Sequence, residues 1–392
     1  MATALLLTGA PPHPTPQAMT SIMHLSLRDY RSYADLHIGT DAGVIALAGD
    51  NGVGKTNVLE AISLLAPGRG LRRAELSDMA RSGGAGGFAV FAALDDSTEI
   101  GIGLIEPDET GRRQRVQRIN GAVSSTQTAM ADFVRVVWLT PEQDGLFRGS
   151  AGDRRRFLDR LVLAIDADHG ARVSALERAL RDRNRILDER HADAAWLDAI
   201  ERQIAGLGVA VAAARAETVS RLAALISETR DDASAFPFAI IALAGEIDTL
   251  VAQLPALDAE DAYAKLLREA RPRDRAAGRT LIGPQASDLL VRHGPKDIAA
   301  ATGSTGEQKA LLVGLVLAHA RLVRSMSGIS PIVLLDEIAA HFDPLRRAAL
   351  FATLGELGAQ VWMTGADEGL FRDLPPGSAR LHVTPGRVER RS

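Results

Sequence analysis

The chain has 392 residues, 46% hydrophobic and 24% charged, with a formal net charge of −4 and no cysteine. That length holds two or three domains with sizeable cores, and the balance is that of a globular protein. The charge excludes a global nucleic-acid signature, so any DNA contact must come from local patches. The missing cysteine excludes disulfides and thiolate metal sites and fits a reducing interior.

The first 27 residues carry no Asp, Glu, Lys or Arg. They make a poor signal peptide, because the apolar run Ala4-Leu5-Leu6-Leu7 is short, lacks a basic start and meets Pro11, Pro12, Pro14 and Pro16. No apolar run reaches the roughly 18–20 residues that cross a bilayer. Residues 1–20 are therefore expected to be a disordered extension, with Met1, Met19 or Met23 as the start, in a cytoplasmic protein without a membrane partner.

From Met23 to Ile38, Leu25, Leu27, Leu36 and Ile38 alternate with polar residues, the pattern of an antiparallel strand pair. Val44-Ile45-Ala46-Leu47-Ala48 reads as a strand, Gly49-Asp50-Asn51-Gly52-Val53-Gly54-Lys55-Thr56 as a Gly-rich loop, and Val58, Leu59, Ile62 and Leu65 fall at helical spacing. Strand, loop and helix in this order are what a phosphate-binding P-loop requires. Its glycines turn backbone N–H groups towards phosphate oxygens, and the helix dipole points its positive end at them. Lys55 is assigned to the β- and γ-phosphates and Thr56 to Mg²⁺, with the cradle running from Gly49 to Asn57. The chain has only four lysines, Lys55, Lys265, Lys296 and Lys309, among its 45 basic residues. Retaining lysine at 55 suits a cradle that uses a compact ammonium rather than a planar guanidinium.

Residues 66–87 are rich in glycine and arginine (Arg69, Arg72, Arg73, Arg81), fitting equally a loop facing DNA or nucleotide and a solvated connector. Strand patterns follow at 88–92, 100–104, 116–119 and 134–139, with a turn at Asn120-Gly121. Arg112, Arg113, Arg115 and Arg118 line that hairpin and favour edge protection over phosphate contact. After Gly152-Asp153, read as a helix N-cap, apolar stripes run from Phe157 through Leu187, break near His191 and resume from Trp196 to Ile226. Residues 153–230 are thus a helical arm, a long antiparallel pair without a sustained heptad. Its arginines alternate with acids that fit i, i+4 pairs. A strand at 238–243, a helix at 259–270, a basic loop at 271–279 and strand material at Leu281-Ile282 come next.

Gly303-Ser304-Thr305-Gly306-Glu307-Gln308-Lys309 opens an apolar helix and is similar to the signature of ABC-type ATPases, in which the Ser hydroxyl and glycine N–H groups meet the γ-phosphate held by a second subunit. A capping box of Ser304 and Glu307 uses the same residues, and both readings hold together. Ile332-Val333-Leu334-Leu335-Asp336-Glu337 has the Walker B pattern: Asp336 serves Mg²⁺, and Glu337 is the general base. Asp343 falls in the D-loop position, and Thr364 ends a strand where transporters carry a switch histidine.

The arrangement from Met23 onward resembles the RecF family of bacterial recombination mediator ATPases. The residues that carry it are Leu27 to Tyr33, Gly49 to Ile62, Thr140-Pro141-Glu142, Arg154-Arg155-Arg156-Phe157-Leu158-Asp159, Gly283-Pro284, Ser304 to Lys309 and Asp336-Glu337. One departure is Gln285-Ala286 where the family usually has His-Arg; Gln143 is a Mg²⁺-sensing candidate by position alone. The resemblance implies an α/β fold, an ABC-type P-loop ATPase head split in sequence with an inserted α-helical lobe. Its halves lie at 21–152 and 275–392, and the lobe at 153–274. It implies ATP and Mg²⁺ as cofactors and a weak, DNA-stimulated ATPase acting as a switch. It also implies an ATP-dependent homodimer at single-strand/double-strand DNA junctions, loading RecA with RecO and RecR in recombinational repair, replication restart and the SOS response. In such a dimer Ser304, Gly306 and Gln308 act in trans. The alternative is an ABC transporter nucleotide-binding subunit, disfavoured by the long span from Lys55 to Ser304. A chromosome-structuring SMC-type ATPase would carry a far longer heptad-patterned insert.

Overall fold

A computed structural model describes residues 20–105, 111, 113–124, 126, 128–189, 193–231 and 234–391. The expected extension up to residue 19, Arg112 of the basic hairpin and the break near His191 lie outside the described residues. In chain order the elements are β1 (Ile22–Tyr30), β2 (Tyr33–Gly39), β3 (Val44–Ala48), α1 (Lys55–Ser63), α2 (Leu76–Met79), β4 (Phe88–Leu94), β5 (Glu99–Leu104), β6 (Arg115–Ile119), β7 (Ala122–Val123) and β8 (Val136–Leu139). The middle holds α3 (Ala151–Ile165), α4 (His169–Asp188), α5 (Ala194–Glu228), β9 (Ala239–Ala244), α6 (Glu246–Gln253) and α7 (Ala256–Ala277). The last part contains β10 (Asp288–His293), β11 (Ile298–Ala299), α8 (Thr305–Ser327), β12 (Ile332–Leu335), α9 (Pro344–Glu356), β13 (Val361–Gly365), β14 (Ala379–Thr384) and β15 (Arg387–Arg391).

The central sheet runs β15-β14-β3-β13-β12-β8, parallel except for the antiparallel edge strand β15. Its strands are apolar at successive positions because both faces are covered. Along β3, Ile45 and Leu47 enter one core with Val58, Leu59 and Ile62 of α1. Val44, Ala46 and Ala48 enter the other, with α3, α8 and α9. The first core is closed by an antiparallel sheet, β2-β1-β4-β5-β6-β7, whose β1–β2 hairpin and Asn120-Gly121 turn form as the sequence pattern predicts. Sequence-distant strands therefore meet at β3, β13 and β12, which places the P-loop and the Asp336-Glu337 pair on either side of the end of β13.

The arm differs in detail from its sequence reading. The N-cap of α3 is Ser150, not Gly152-Asp153; Asp153 is the return partner of a capping box, its N–H donating to Ser150 Oγ while its carboxylate accepts from the Ser150 N–H. Three helices rather than a pair, α3, α4 and α5, occupy the described part of the arm up to residue 228. Helices α6 and α7 pack on α5, and the lobe has a separate core that includes Ile204, Val209, Val211 and Tyr263.

The stretch 271–279 is not a basic loop. Helix α7 runs through Pro272 to Ala277, because Arg271 on one side of the proline holds Asp198 and Glu201 of α5 and Asp274 on the other side holds Arg183 of α4. Those ion pairs offset the hydrogen bond that proline removes from a helix interior. Leu281-Ile282 is not a strand either; the Ile282 carbonyl accepts from the Tyr263 hydroxyl and from Gln285 Nε2. Strand β9 forms where the apolar run at 238–243 predicts one, inside the otherwise helical lobe. It pairs antiparallel with β10 in the three-stranded sheet β11-β10-β9.

One helix among the described residues, α8, is long and apolar enough to cross a membrane, and most of it is buried in the protein core.

Candidate nucleotide-binding site

The loop between β3 and α1 can form only with glycine at two crowded points. A Cβ on Gly49 would fall 2.3 Å from the Val383 carbonyl oxygen, and one on Gly54 would fall 2.7 Å from Ser32 Oγ, with both residues at positive φ. Asp50, Asn51 and Gly52 form the exposed tip, and Val53 packs half-buried against the core below. Lys55 is buried, with Nζ donating to the carbonyls of Gly49 (2.6 Å) and Asp50 (2.9 Å) and lying 4.0 Å from Glu337 Oε1.

The β1–β2 turn braces this loop. The Tyr33 hydroxyl donates to the Gly54 carbonyl at 3.2 Å, and Asn57 Nδ2 donates to Ser32 Oγ at 3.0 Å. Behind them Glu60, fully buried, accepts two bonds from Arg31 (2.8 and 2.6 Å) and one from Arg72 (3.3 Å), which also holds Asn57 Oδ1. Asn57, assigned to the cradle from sequence, is thus tied into the bracing network.

Strand β12 delivers Asp336 and Glu337 beside the loop. Thr56 Oγ1 donates to Asp336 Oδ1 (3.0 Å) and Oδ2 (3.1 Å). Thr364, at the end of β13, donates to Asp336 Oδ1 at 2.7 Å and accepts from the Glu337 N–H at 2.9 Å. Glu337 adopts the left-handed region (φ 53°), and its side chain is 35% exposed, which leaves the carboxylate accessible to water. A hydroxyl and a carboxylate are hard oxygen donors suited to Mg²⁺, which takes few protein ligands when phosphates supply the rest. Among the described residues no group of three or more His, Cys, Asp or Glu is placed to hold a metal ion.

The signature residues belong to a different constellation. Ser304 caps α8 in a capping box with Glu307, whose carboxyl is pulled down to about 2 by hydrogen bonds from Lys296 and Ser304. Gln308, buried, donates to the carbonyls of Gly303 (2.7 Å) and Ala301 (3.3 Å), and Arg148 donates to the same two. Lys309 pairs with Asp144 at 2.9 Å. A Cβ on Gly306 would lie 3.4 Å from Arg346 Nη1, so α9 flanks the motif. Asp343 caps α9, accepting from the Arg346 N–H at 2.9 Å. Among the described residues, no hydrogen bond or ion pair joins Ser304, Gly306 or Gln308 to Lys55, Thr56, Asp336 or Glu337.

Three stretches singled out in the sequence have the following contacts. Gln143 Oε1 accepts from the Thr140 N–H and caps its own turn. Gln285 donates to the carbonyls of Thr280 and Ile282. Arg154 and Arg155 bind Asp288 and the Ser287 carbonyl, while Asp159 accepts from Arg215 and His169, so that stretch fastens α3 to β10 and α5. The part played by Thr364 is not legible in the sequence, since a threonine at a strand end carries no local signal until its partner strand is known.

A mostly parallel sheet carrying a P-loop and an Asp-Glu pair, with a Ser-capped signature helix and an inserted lobe, defines an ABC-type P-loop ATPase head. The model of the RecF/RecN/SMC N terminal domain matches residues 21–384. Similar curated proteins are named DNA replication and repair protein RecF. That of Mesorhizobium japonicum is 54% identical over 95% of this chain and 98% of its own. That of Brucella abortus is 50% identical over 94% and 96%. Among solved structures, the recombination mediator protein RecF-ATPrS superposes with a TM-score of 0.83 at 20% identity, over 96% of this chain and 99% of that one. An Smc head domain from Pyrococcus furiosus reaches 0.51 at 18% identity, over 95% and 97%. The chain belongs to the RecF family of DNA replication and repair proteins.

Proposed function

We propose that this chain is an ATP-driven switch that dimerises around bound nucleotide and acts on DNA in recombinational repair and replication restart. The observation that carries the reading is the separation of two half-sites: Lys55, Thr56, Asp336 and Glu337 converge, while Ser304 sits on its own helix terminus without a bond to them. Closing a second copy over the first would bring Ser304 and Gly306 to the γ-phosphate, with Asp343 near the junction, while Gln308, assigned to the same contact from sequence, is buried and holds the loop before Ser304. ATP then favours the dimer by its higher affinity for that state.

Within one site the cradle from Gly49 to Asn57 holds the phosphates, and Lys55 exchanges its loop carbonyls for phosphate oxygens. Thr56 and Asp336 would hold Mg²⁺, which neutralises phosphate charge when bound. Glu337 orients a water and accepts its proton. Turnover is weak and DNA-stimulated, as befits a switch. The partners are single-strand/double-strand junctions and, as the family resemblance implies, RecO and RecR during RecA loading, in the cytoplasm. The head comprises 21–152 and 275–392 and the lobe 153–274; the separate core of α4 to α7 supports a distinct lobe, while α3, the end of α5 and β9 pack into the core of the head.

The test is Glu337→Gln with ATP and gapped duplex. A stable ATP-bound dimer on DNA with lost turnover supports the reading; unchanged turnover places the base elsewhere.

A further inference from the structure

A second cleft, of about 380 Å³, is lined by arginines that the nucleotide chemistry does not use. Arg72 and Arg73 enter it from the loop after α1, and Arg156 and Arg160 from successive turns of α3. Two of the four are engaged: Arg72 holds Glu60 and Asn57, and Arg156 pairs with Asp153. The other two are not. The Arg73 side chain makes no hydrogen bond or ion pair among the described residues and stands on a left-handed backbone (φ 54°). Arg160 has a solvent-sealed Nη2 without a hydrogen-bond partner.

Arg160 is packed by its faces, with its guanidinium carbon 5.0 Å from the Trp138 ring centre and 5.2 Å from that of Phe157. Stacking of this kind leaves the in-plane N–H donors for the oxygens of a phosphate, and with Nη2 sealed these are Nε and Nη1. Burial, and then the neighbouring Arg73 charge, push Arg160 down to about 9. The acids at the rim do not relieve it: Asp153 is taken by Arg156 and Ser150, and Glu142 is exposed.

We propose that this cleft receives the phosphodiester backbone of a bound DNA strand, with Arg73 and Arg160 as the contacting cations. The proposal rests on the reading that the protein acts on DNA. A repeating anion fits the layout, because Arg156 and Arg160 are spaced by about 6 Å along α3 and Arg73 faces them from the loop after α1, whereas Arg69 and Arg81 are taken by Glu75 and Asp29.

The experiment is a salt titration of binding to gapped duplex for the wild type, Arg73→Gln, Arg160→Met and the control Arg185→Gln, which alters an exposed pair within α4. Arg73→Gln and Arg160→Met are each expected to weaken binding and to lower the salt slope by about one, with ATP affinity retained and the control unchanged. In parallel, the Trp196→Phe protein, which keeps Trp138 beside Arg160 and Trp362 sealed in the core, is titrated with DNA, inorganic phosphate and polyglutamate while tryptophan emission is followed, with the Trp138→Phe, Trp196→Phe protein giving the Trp362 background. A response to DNA supports the proposal. A response to phosphate or polyglutamate but not DNA overturns it, as do wild-type affinity and slope in both arginine variants. A wild type that binds no DNA at low salt overturns the functional reading as well, whereas unchanged slopes in variants that bind DNA overturn the cleft alone.

Discussion

The Thr364 hydroxyl donates to Asp336 Oδ1 at 2.7 Å and at the same time accepts the Glu337 N–H at 2.9 Å. One side chain on β13 therefore holds the Asp336 carboxylate and the Glu337 backbone just past the end of β12. Thr364→Val keeps the shape and removes both bonds. Loss of a hydrogen bond to a charged group costs about 1.5–3 kcal/mol, so urea unfolding should show a shift of that size, and ATP turnover should fall more than ATP affinity.

A clasp joins the two half-sites within one chain. The Asp336 N–H donates to the Leu139 carbonyl at the end of β8; a few residues on, Asp144 pairs with Lys309, and Arg148 holds the carbonyls of Ala301 and Gly303 before Ser304. Arg148→Met should weaken ATP-dependent dimerisation, measured by sedimentation velocity, while single-copy ATP affinity stays at the wild-type value.

The lobe is held by a buried cation. Arg183 is fully buried and donates to Glu201, Asp274, Thr280 and the Leu267 carbonyl at 2.7–2.9 Å. Arg183→Met would leave buried acids short of their partner, at a cost of about 3–5 kcal/mol. Chemical denaturation should show that loss.

Acid sensitivity has an identifiable source in α8. Burial lowers His319 from its usual value to about 4, opposed by the hydrogen bond from its Nε2 to the Leu161 carbonyl and aided by the Arg160 charge. The folded state therefore resists protonation that the unfolded chain accepts. The contribution is complete above about pH 6.5 and is lost as pH falls towards 4, a total of roughly 3 kcal/mol. His319→Leu should flatten the stability profile over that window.

The local motifs are legible in the sequence because each depends on near neighbours: the P-loop on its glycines and flanking periodicity, the Ser304 cap on Glu307, the Asn120-Gly121 turn on its dipeptide. What the sequence hides depends on distant partners. The stretch 271–279 reads as a basic loop because the ion pairs that carry α7 through Pro272 reach α4 and α5. Arg154 reads as a member of an i, i+4 pair because its partner Asp288 lies far along the chain. Thr364 reads as a loss until β12 and β13 are set side by side.

The central claim is that one copy supplies Lys55 and another Ser304 to each nucleotide. Lys55→Ala and Ser304→Arg, examined singly and mixed in equal amounts with ATP, test it most directly. Each alone should remain monomeric and inactive, while the mixture should form heterodimers with one intact site and regain turnover. Dimers of wild-type stability from either variant alone, or a mixture no more active than its parts, would contradict it.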